Sequence, residues 1–306
     1  MNSAVPESPV PFSSHEAERV RAVWQDLDLP GIVDVHTHFM PRPVMDKVWA
    51  YFDSAGPLVG REWPITYRAD EDVRVSTLRD FGVRAYSSLV YPHKPDMAEW
   101  LNGWANDFAA HHEDCLHTAT FYPEESAAAY VSRAIQAGTR VFKSHIQVGD
   151  YSPMDSLLDG VWSQIADAQV PVIIHCGSGP APGHHTGPEP IRALLHRFPS
   201  LPLIIAHMGM PEYEPFLDFA LEYPNVHLDT TMAFTDFAEE NAPFPDGLRS
   251  RLADAGDKIL FGSDFPNIPY GYTHALEVIT GLGVGDDWLR NVFYRNAARL
   301  FRLEEQ

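Results

Sequence analysis

Cysteine is nearly missing: Cys115 and Cys176 are the two among 306 residues. That is too few for a disulfide framework, so the fold rests on its core. Basic residues are scarce as well. Lys and Arg number 22 against 42 Asp and Glu, a formal charge of −20, which repels phosphate backbones and anionic membranes and argues against nucleic acid as a partner. No run reaches the roughly 18 apolar residues of a membrane span. The opening residues MNSAVPESPVPFSSHEAERVRAVW show no basic-then-apolar leader pattern. No Gly-x-Gly-x-x-Gly turn follows a β-rich run and no Walker-type loop occurs, so an open doubly wound sheet would lack its usual nucleotide site. These absences leave a cytoplasmic protein acting on a small molecule as the expectation, with no nucleic acid and no membrane involved.

What the chain does have is enough apolar content, 45%, to build a sizeable core. Residues 1–14, rich in Pro and Ser, read as a flexible N-terminal tail, and 15–306 as a single domain. A helix is expected from His15 to about Leu27. After Gly31, β-rich runs bounded by Pro, Gly or Asp fall at 31–39, 84–92, 116–123, 140–148, 171–177, 202–209, 225–231 and 258–266. Helical patterns lie between them near 71–81, 124–137, 155–168, 188–198, 211–222 and 246–255, and further helices close the chain. In 155–168 the residues Leu157, Leu158, Val161, Trp162 and Ile165 follow the 3.6-residue period. Eight strands alternating with helices predict an α/β fold, the (β/α)8 TIM barrel. Residues 40–69 exceed an ordinary connection and are expected as a long loop inserted after the first strand, either a lid over a pocket or a surface decoration.

Chemistry gathers at the strand ends. The first strand carries VDVHTHF (33–39). With 15 histidines in the chain, roughly one His-x-His triplet arises by chance, so the pair needs context. In a strand, i and i+2 share a face, which puts His36, His38 and Asp34 on one side. PVIIHCG ends on His175, PLIIAHMG on His207 and ILFGSDFP on Asp264. Each is a titratable side chain at the C-terminal end of an apolar run, where barrel active sites lie. A lone strand-end histidine is more often a hydrogen-bonded structural group. Five such residues at one rim, at about 1–3 kcal/mol for each one left unpaired, call for a common partner, and a divalent cation serves.

Other residues join this face. Lys143 and His145 are two apart on the fourth strand and can contact a substrate carboxylate. Lys143 can equally pair with an interior acid such as Asp34. His184, in the loop after the fifth strand, is a candidate for the pocket lining. Arg61, Trp63, Tyr67, Tyr270 and Tyr272 fall on loops near the mouth and suggest a planar, carboxylated substrate. Cys176, adjacent to His175, points the other way, towards the helices, as a small buried hydrophobe.

The ordered set VDVHTHF, IIHCG, IIAHMG and GSDFP resembles the amidohydrolase superfamily, and within it the branch of aminocarboxymuconate semialdehyde decarboxylase-like proteins. The resemblance extends from about Gly31 to YRNAARLF (294–301). It implies a (β/α)8 fold, one catalytic divalent metal, and hydrolytic or decarboxylating chemistry. It further implies metal ligation by His36, His38, His175 and Asp264, with His207 as catalytic acid/base and electrophile. Some branches of the superfamily carboxylate a fourth-strand lysine to bridge two metals, a role open to Lys143, but the branch resembled usually holds one. Three imidazoles and a carboxylate suit Zn²⁺, and Mn²⁺ or Fe²⁺ accept the same set. Zn²⁺ lowers the pKa of its water towards about 7. Asp264 then takes that proton and His207 steadies the developing oxyanion, a contribution of roughly 3–4 kcal/mol when well placed. The expected reaction is hydrolysis of a small carbonyl substrate (a lactone, amide or ester). The alternative is non-oxidative decarboxylation of an aromatic or muconate-type acid. Aromatic-acid decarboxylases of the family often open with Glu-x-His, so His-x-His leans towards hydrolysis. The resemblance is also compatible with a homodimer.

Overall fold

In the computed structural model residues 14–303 are described, and the expected tail lies outside them except for Ser14. The first helix, Ser14–Asp26, begins where the sequence reading places it. Among the described residues nine short strands follow: β1 (Ile32–Asp34), β2 (Val83–Ser87), β3 (Cys115–Leu116), β4 (Thr118–Thr120), β5 (Val141–His145), β6 (Val172–His175), β7 (Leu203–Ile205), β8 (Val226–Asp229) and β9 (Ile259–Leu260). The expected third strand is divided into β3 and β4 at His117. The carbonyl of His117 accepts from the N–H groups of Arg140 and Val141.

All pairs are parallel, in the order β1-β2-β3 and then β4 through β9. Beyond the regular ladders, hydrogen bonds join the last strand to the first. Val35 N–H donates to Phe261 O (3.0 Å), Asp264 N–H to His36 O (2.9 Å) and His38 N–H to Phe265 O (2.7 Å), with a parallel bridge between Thr37 and Phe265. The architecture is the expected (β/α)8 barrel. The extended segments that follow β1 and β9 carry His36, His38 and Asp264 side by side.

The helices cover the barrel with their periodic apolar faces. Asp159–Ala168 buries Val161, Trp162, Ile165 and Ala166, the stripe its sequence predicts. One helix, Ala98–His111, is missing from the apolar patterns, the sequence marking only its end, at His111-His112, as a polar helical stretch. Yet it buries Ala98, Leu101, Ala105 and Phe108 at helical spacing.

Residues 40–69 correct the expectation of a long loop. They contain a helix, Arg42–Ser54, and a short turn of helix, Gly56–Val59. Pro43 sits in the first turn, where its missing N–H costs nothing. Met45 and Trp49 pack with Met40, Val90, Met97, Leu101 and Ala105 in a small cluster separate from the main core. The insertion is thereby seated on helix Ala98–His111 and forms a roof over the barrel mouth. Among the described residues no helix is long and apolar enough to cross a membrane.

Candidate metal centre and its pocket

The first two histidines are wired from behind. His36 Nδ1 lies 2.8 Å from Asp229 Oδ2, and His38 Nδ1 lies 2.9 Å from the Leu89 carbonyl. Both Nδ1–H groups are therefore donated, and each Nε2 is left with its lone pair. Those lone pairs face Asp264 Oδ1 at 3.7 Å from His36 and 2.9 Å from His38. The three ligand atoms all fall within 4.8 Å of one another, and all three residues are buried. An imidazole lone pair opposed to a carboxylate oxygen at 2.9 Å is stable only with positive charge between them. Two imidazole nitrogens and one carboxylate are a donor set that fits a divalent cation.

The electrostatics keep Asp264 ionised and His36 neutral. Burial would raise the Asp264 carboxyl, but positive charge shared with the His38, His36 and His207 imidazoles around it outweighs burial and holds the group well below the usual carboxylate range. Burial, helped by Lys143, lowers His36 to about 4, and burial lowers His207 to about 4. Lys143 is fully buried, its Nζ 3.3 Å from His36 Nε2. Burial depresses its ammonium to about 8 against the pull of Asp229 and Asp264. The pairing of Lys143 with Asp34 allowed by the sequence does not form. Asp34 instead accepts from the Ser263 and Tyr272 hydroxyls and from the N–H groups of His36 and Ser263.

Backbone conformation marks the same place. Asp264 (φ 72°) and His207 (φ 55°) occupy the left-handed region, which side chains with a Cβ rarely adopt and which concentrates at functional sites. Asp229 holds His207 there, its Oδ1 accepting the His207 N–H at 2.9 Å and the Thr231 N–H at 3.1 Å. Asp229 thus fixes His36, a candidate ligand, and the neighbouring His207 together, and it is not among the residues the sequence singles out. The signal was present in NVHLDTT, where an acid ends an apolar run by the same rule that selected Asp264.

The remaining histidines complete a ring of rings around the pocket floor. Centroids step from Tyr91 to His145 (4.9 Å), His175 (4.1 Å), His207 (4.7 Å), His36 (5.2 Å), His38 (5.2 Å) and back to Tyr91 (5.7 Å). His145 and His175 are register partners on β5 and β6, which is why they stack. His175 does not join the close set of three ligand atoms. Its Nε2 donates to the Gly179 carbonyl at 2.9 Å, leaving Nδ1 as its lone pair.

Above the floor opens a cavity of about 1090 Å³ with walls that include Val44, Val48, Trp63, Met97, Trp100 and Phe237. Arg61 and Trp63 border it as expected. The Arg61 guanidinium lies over the Phe237 ring and pairs with Glu240. Four residues expected at the mouth are elsewhere, among them Tyr270, which packs against the main core. His184 is 85% exposed and paired with Asp150, away from the cavity. Tyr67 and Tyr272 are buried in the core, where their hydroxyls serve Glu16 of the first helix and the buried Asp34 of β1. Cys176 is fully buried, as its alternation with His175 requires.

A family profile described as amidohydrolase matches residues 33–303. The chain belongs to the amidohydrolase family. No curated protein matches it. Among solved structures it is similar to an uncharacterised TIM-barrel protein of Bordetella bronchiseptica, with 18% identity, TM-score 0.72, and coverage of 89% of this chain and 98% of that one. A 5-carboxyvanillate decarboxylase of Novosphingobium aromaticivorans, complexed with manganese and 4-hydroxy-3-methoxy-5-nitrobenzoic acid, gives 13% identity and TM-score 0.60, covering 90% and 97%. A probable 2-pyrone-4,6-dicarboxylic acid hydrolase of Acinetobacter baumannii, with citric acid bound, gives 13% identity and TM-score 0.58, covering 89% and 100%. At these identities the likeness establishes the barrel.

Proposed function

We propose that the protein is a metal-dependent hydrolase of a small carbonyl substrate (a lactone, amide or ester) that carries a carboxylate. The observation behind this reading is the convergence of two imidazole lone pairs on the Asp264 carboxylate at the floor of a roofed, apolar cavity. His36, His38 and Asp264 would hold one divalent ion, Zn²⁺ in this reading, with the Nδ1 of His175 a candidate for a fourth ligand. When bound, such an ion supplies a Lewis acid for the carbonyl and hydroxide at neutral pH. The protein's own groups do the rest. Asp264 is held ionised and can accept a proton from water. His207 donates Nδ1–H to the Thr231 carbonyl at 3.2 Å, so its Nε2 is free to take and return a proton beside the reacting carbon. The apolar side chains that line the cavity, Val44, Val48, Met97 and Trp63 among them, lower the local dielectric and strengthen these interactions.

A second reading, non-oxidative decarboxylation of an aromatic acid, is favoured by one feature. Trp63, Phe237 and Phe52 line the pocket with flat rings, as a planar acid would require, and a decarboxylase is among the structural neighbours. Metal analysis of purified protein should find about one divalent ion per chain. Lactones, esters and amides, assayed beside aromatic and muconate-type acids with carbon dioxide followed, should give hydrolysis products. Gas release without hydrolysis would transfer the assignment to the decarboxylase reading, and protein that binds no divalent ion would defeat both.

A further inference from the structure

Six histidines border one cavity; for the five at its floor (His36, His38, His145, His175 and His207) the hydrogen bond behind each ring decides what it presents. His36, His38 and His207 donate Nδ1–H to Asp229, Leu89 and Thr231, so each turns a lone pair forward. His175 donates Nε2–H to Gly179, and its proton is consumed there. His145 is different. It caps the short helix Ile146–Gly149, and its Nδ1 accepts the Val148 N–H at 3.3 Å. A backbone N–H can only donate, so that nitrogen carries the lone pair and the imidazole proton sits on Nε2.

The rest of the ring's surroundings aim that proton. One face of His145 stacks on His175 at 4.1 Å and 16°, and Tyr91 packs at 4.9 Å. Among the described residues Nε2 has no protein partner, it is not sealed in the interior, and its residue borders the cavity. Lys143, two residues earlier on β5, has its Nζ at His36 Nε2. Among these five rings, His145 alone offers an uncommitted N–H.

We propose that His145 Nε2–H is a fixed hydrogen-bond donor that holds a carboxylate of the substrate on the β5 wall of the pocket, beside the His36–His38–Asp264 set. This rests on the hydrolase reading for the word substrate, but the binding itself does not require turnover. His145 is then a specificity residue: it distinguishes an acid from its neutral ester. An N–H aimed at an anion is charge-assisted, and losing it weakens binding of the anion roughly ten- to a hundredfold, while the ester is spared.

The probe is 4-hydroxy-3-methoxy-5-nitrobenzoate beside its methyl ester, with binding to metal-loaded protein followed by the nitrophenol absorbance. In His145→Phe, which keeps a ring against His175 without either nitrogen, the acid should bind at least tenfold more weakly. The ester should change less than twofold, and metal content should stay at the wild-type value. His145→Gln, whose amide reaches the same side as Nε2, should recover part of the acid's affinity. Independently, nitrogen-15 spectra of histidine-labelled metal-free protein should place the His145 proton on Nε2, the signal being assigned by its loss in His145→Phe. Equal loss of acid and ester, unchanged acid binding, wild-type protein that binds neither probe, or a proton on Nδ1 would each overturn the proposal. Absence of hydrolysis with these binding results intact would instead count against the hydrolase reading alone.

Discussion

The rim of the barrel has two sides built from the same residue type and put to opposite uses. On the β1–β9 side, His36 and His38 face a carboxylate, their far nitrogens are tied to Asp229 and the Leu89 carbonyl, and the backbone at Asp264 is in the left-handed region. On the β5–β6 side, His145 and His175 lie flat against each other as register partners, and no carboxylate stands between them. One side gathers lone pairs around a point. The other makes a wall. An imidazole's role is therefore set less by its place at a strand end than by the group bonded to its hidden nitrogen.

The largest effects should come from breaking the first side. Asp264→Asn keeps the shape and removes the negative charge that the two lone pairs oppose, so bound metal and activity should fall to background, as elemental analysis and the hydrolase assay would show. His175→Ala tests the comparison itself. If the β6 histidine is mainly wall, the variant retains most of its metal, whereas loss as complete as in Asp264→Asn would erase the distinction between the two sides. Asp229→Ala comes next. It strands the His36 Nδ1–H and frees the His207 backbone, and metal affinity should fall roughly 10- to 100-fold while ligation survives at saturating metal.

A smaller effect follows from pH. Burial lowers His36 and His207 to about 4 from 6.5, and burial together with the neighbouring histidines and Lys143 holds His145 and His175 well below 6.5. Between those values the unfolded chain takes up protons that the folded chain refuses, so stability is present above about pH 6.5 and is lost as pH falls towards 4. Asp34 opposes this. Burial raises it to about 7 from 3.8, so its folded form gains stability as pH falls through the same window. Four histidines outweigh one carboxyl, and the melting temperature of metal-free protein should drop from pH 6.5 to 4.5. A flat or rising curve would mean that these rings are not held neutral.

Much of this was legible in the sequence for a simple reason. Alternating apolar runs and 3.6-residue stripes specify strands and helices, and titratable residues at the ends of those runs mark one rim. Hence the barrel, and hence the candidates His36, His38, His175, His207 and Asp264. Three kinds of information were not local. The helical character of 40–69 depends on Met45 and Trp49 finding Leu101 and Ala105 on another helix and Met97 just before it. The burial of Tyr67 and Tyr272 depends on Glu16 and Asp34, distant in sequence. The difference between His145 and His36 depends on which nitrogen meets Val148 or Asp229, and no spacing rule reports that.

The least disruptive test of the two sides uses glycines. A Cβ on Gly262 would come within 2.3 Å of Thr231 Oγ1 and 2.7 Å of His36 Cβ, and one on Gly177 within 2.4 Å of the Met210 carbonyl. Both are overpacking changes of about 1–3 kcal/mol, or a few degrees of melting temperature in a chain of this size. They differ in what must move. Gly262→Ala pushes on His36 itself, so metal affinity should fall several-fold along with stability. Gly177→Ala strains the loop after β6 and should cost comparable stability with metal affinity unchanged. Calorimetry and competitive metal titration on the pair separate the outcomes, and equal losses of affinity in both would mean that the β6 wall is coupled to the metal site after all.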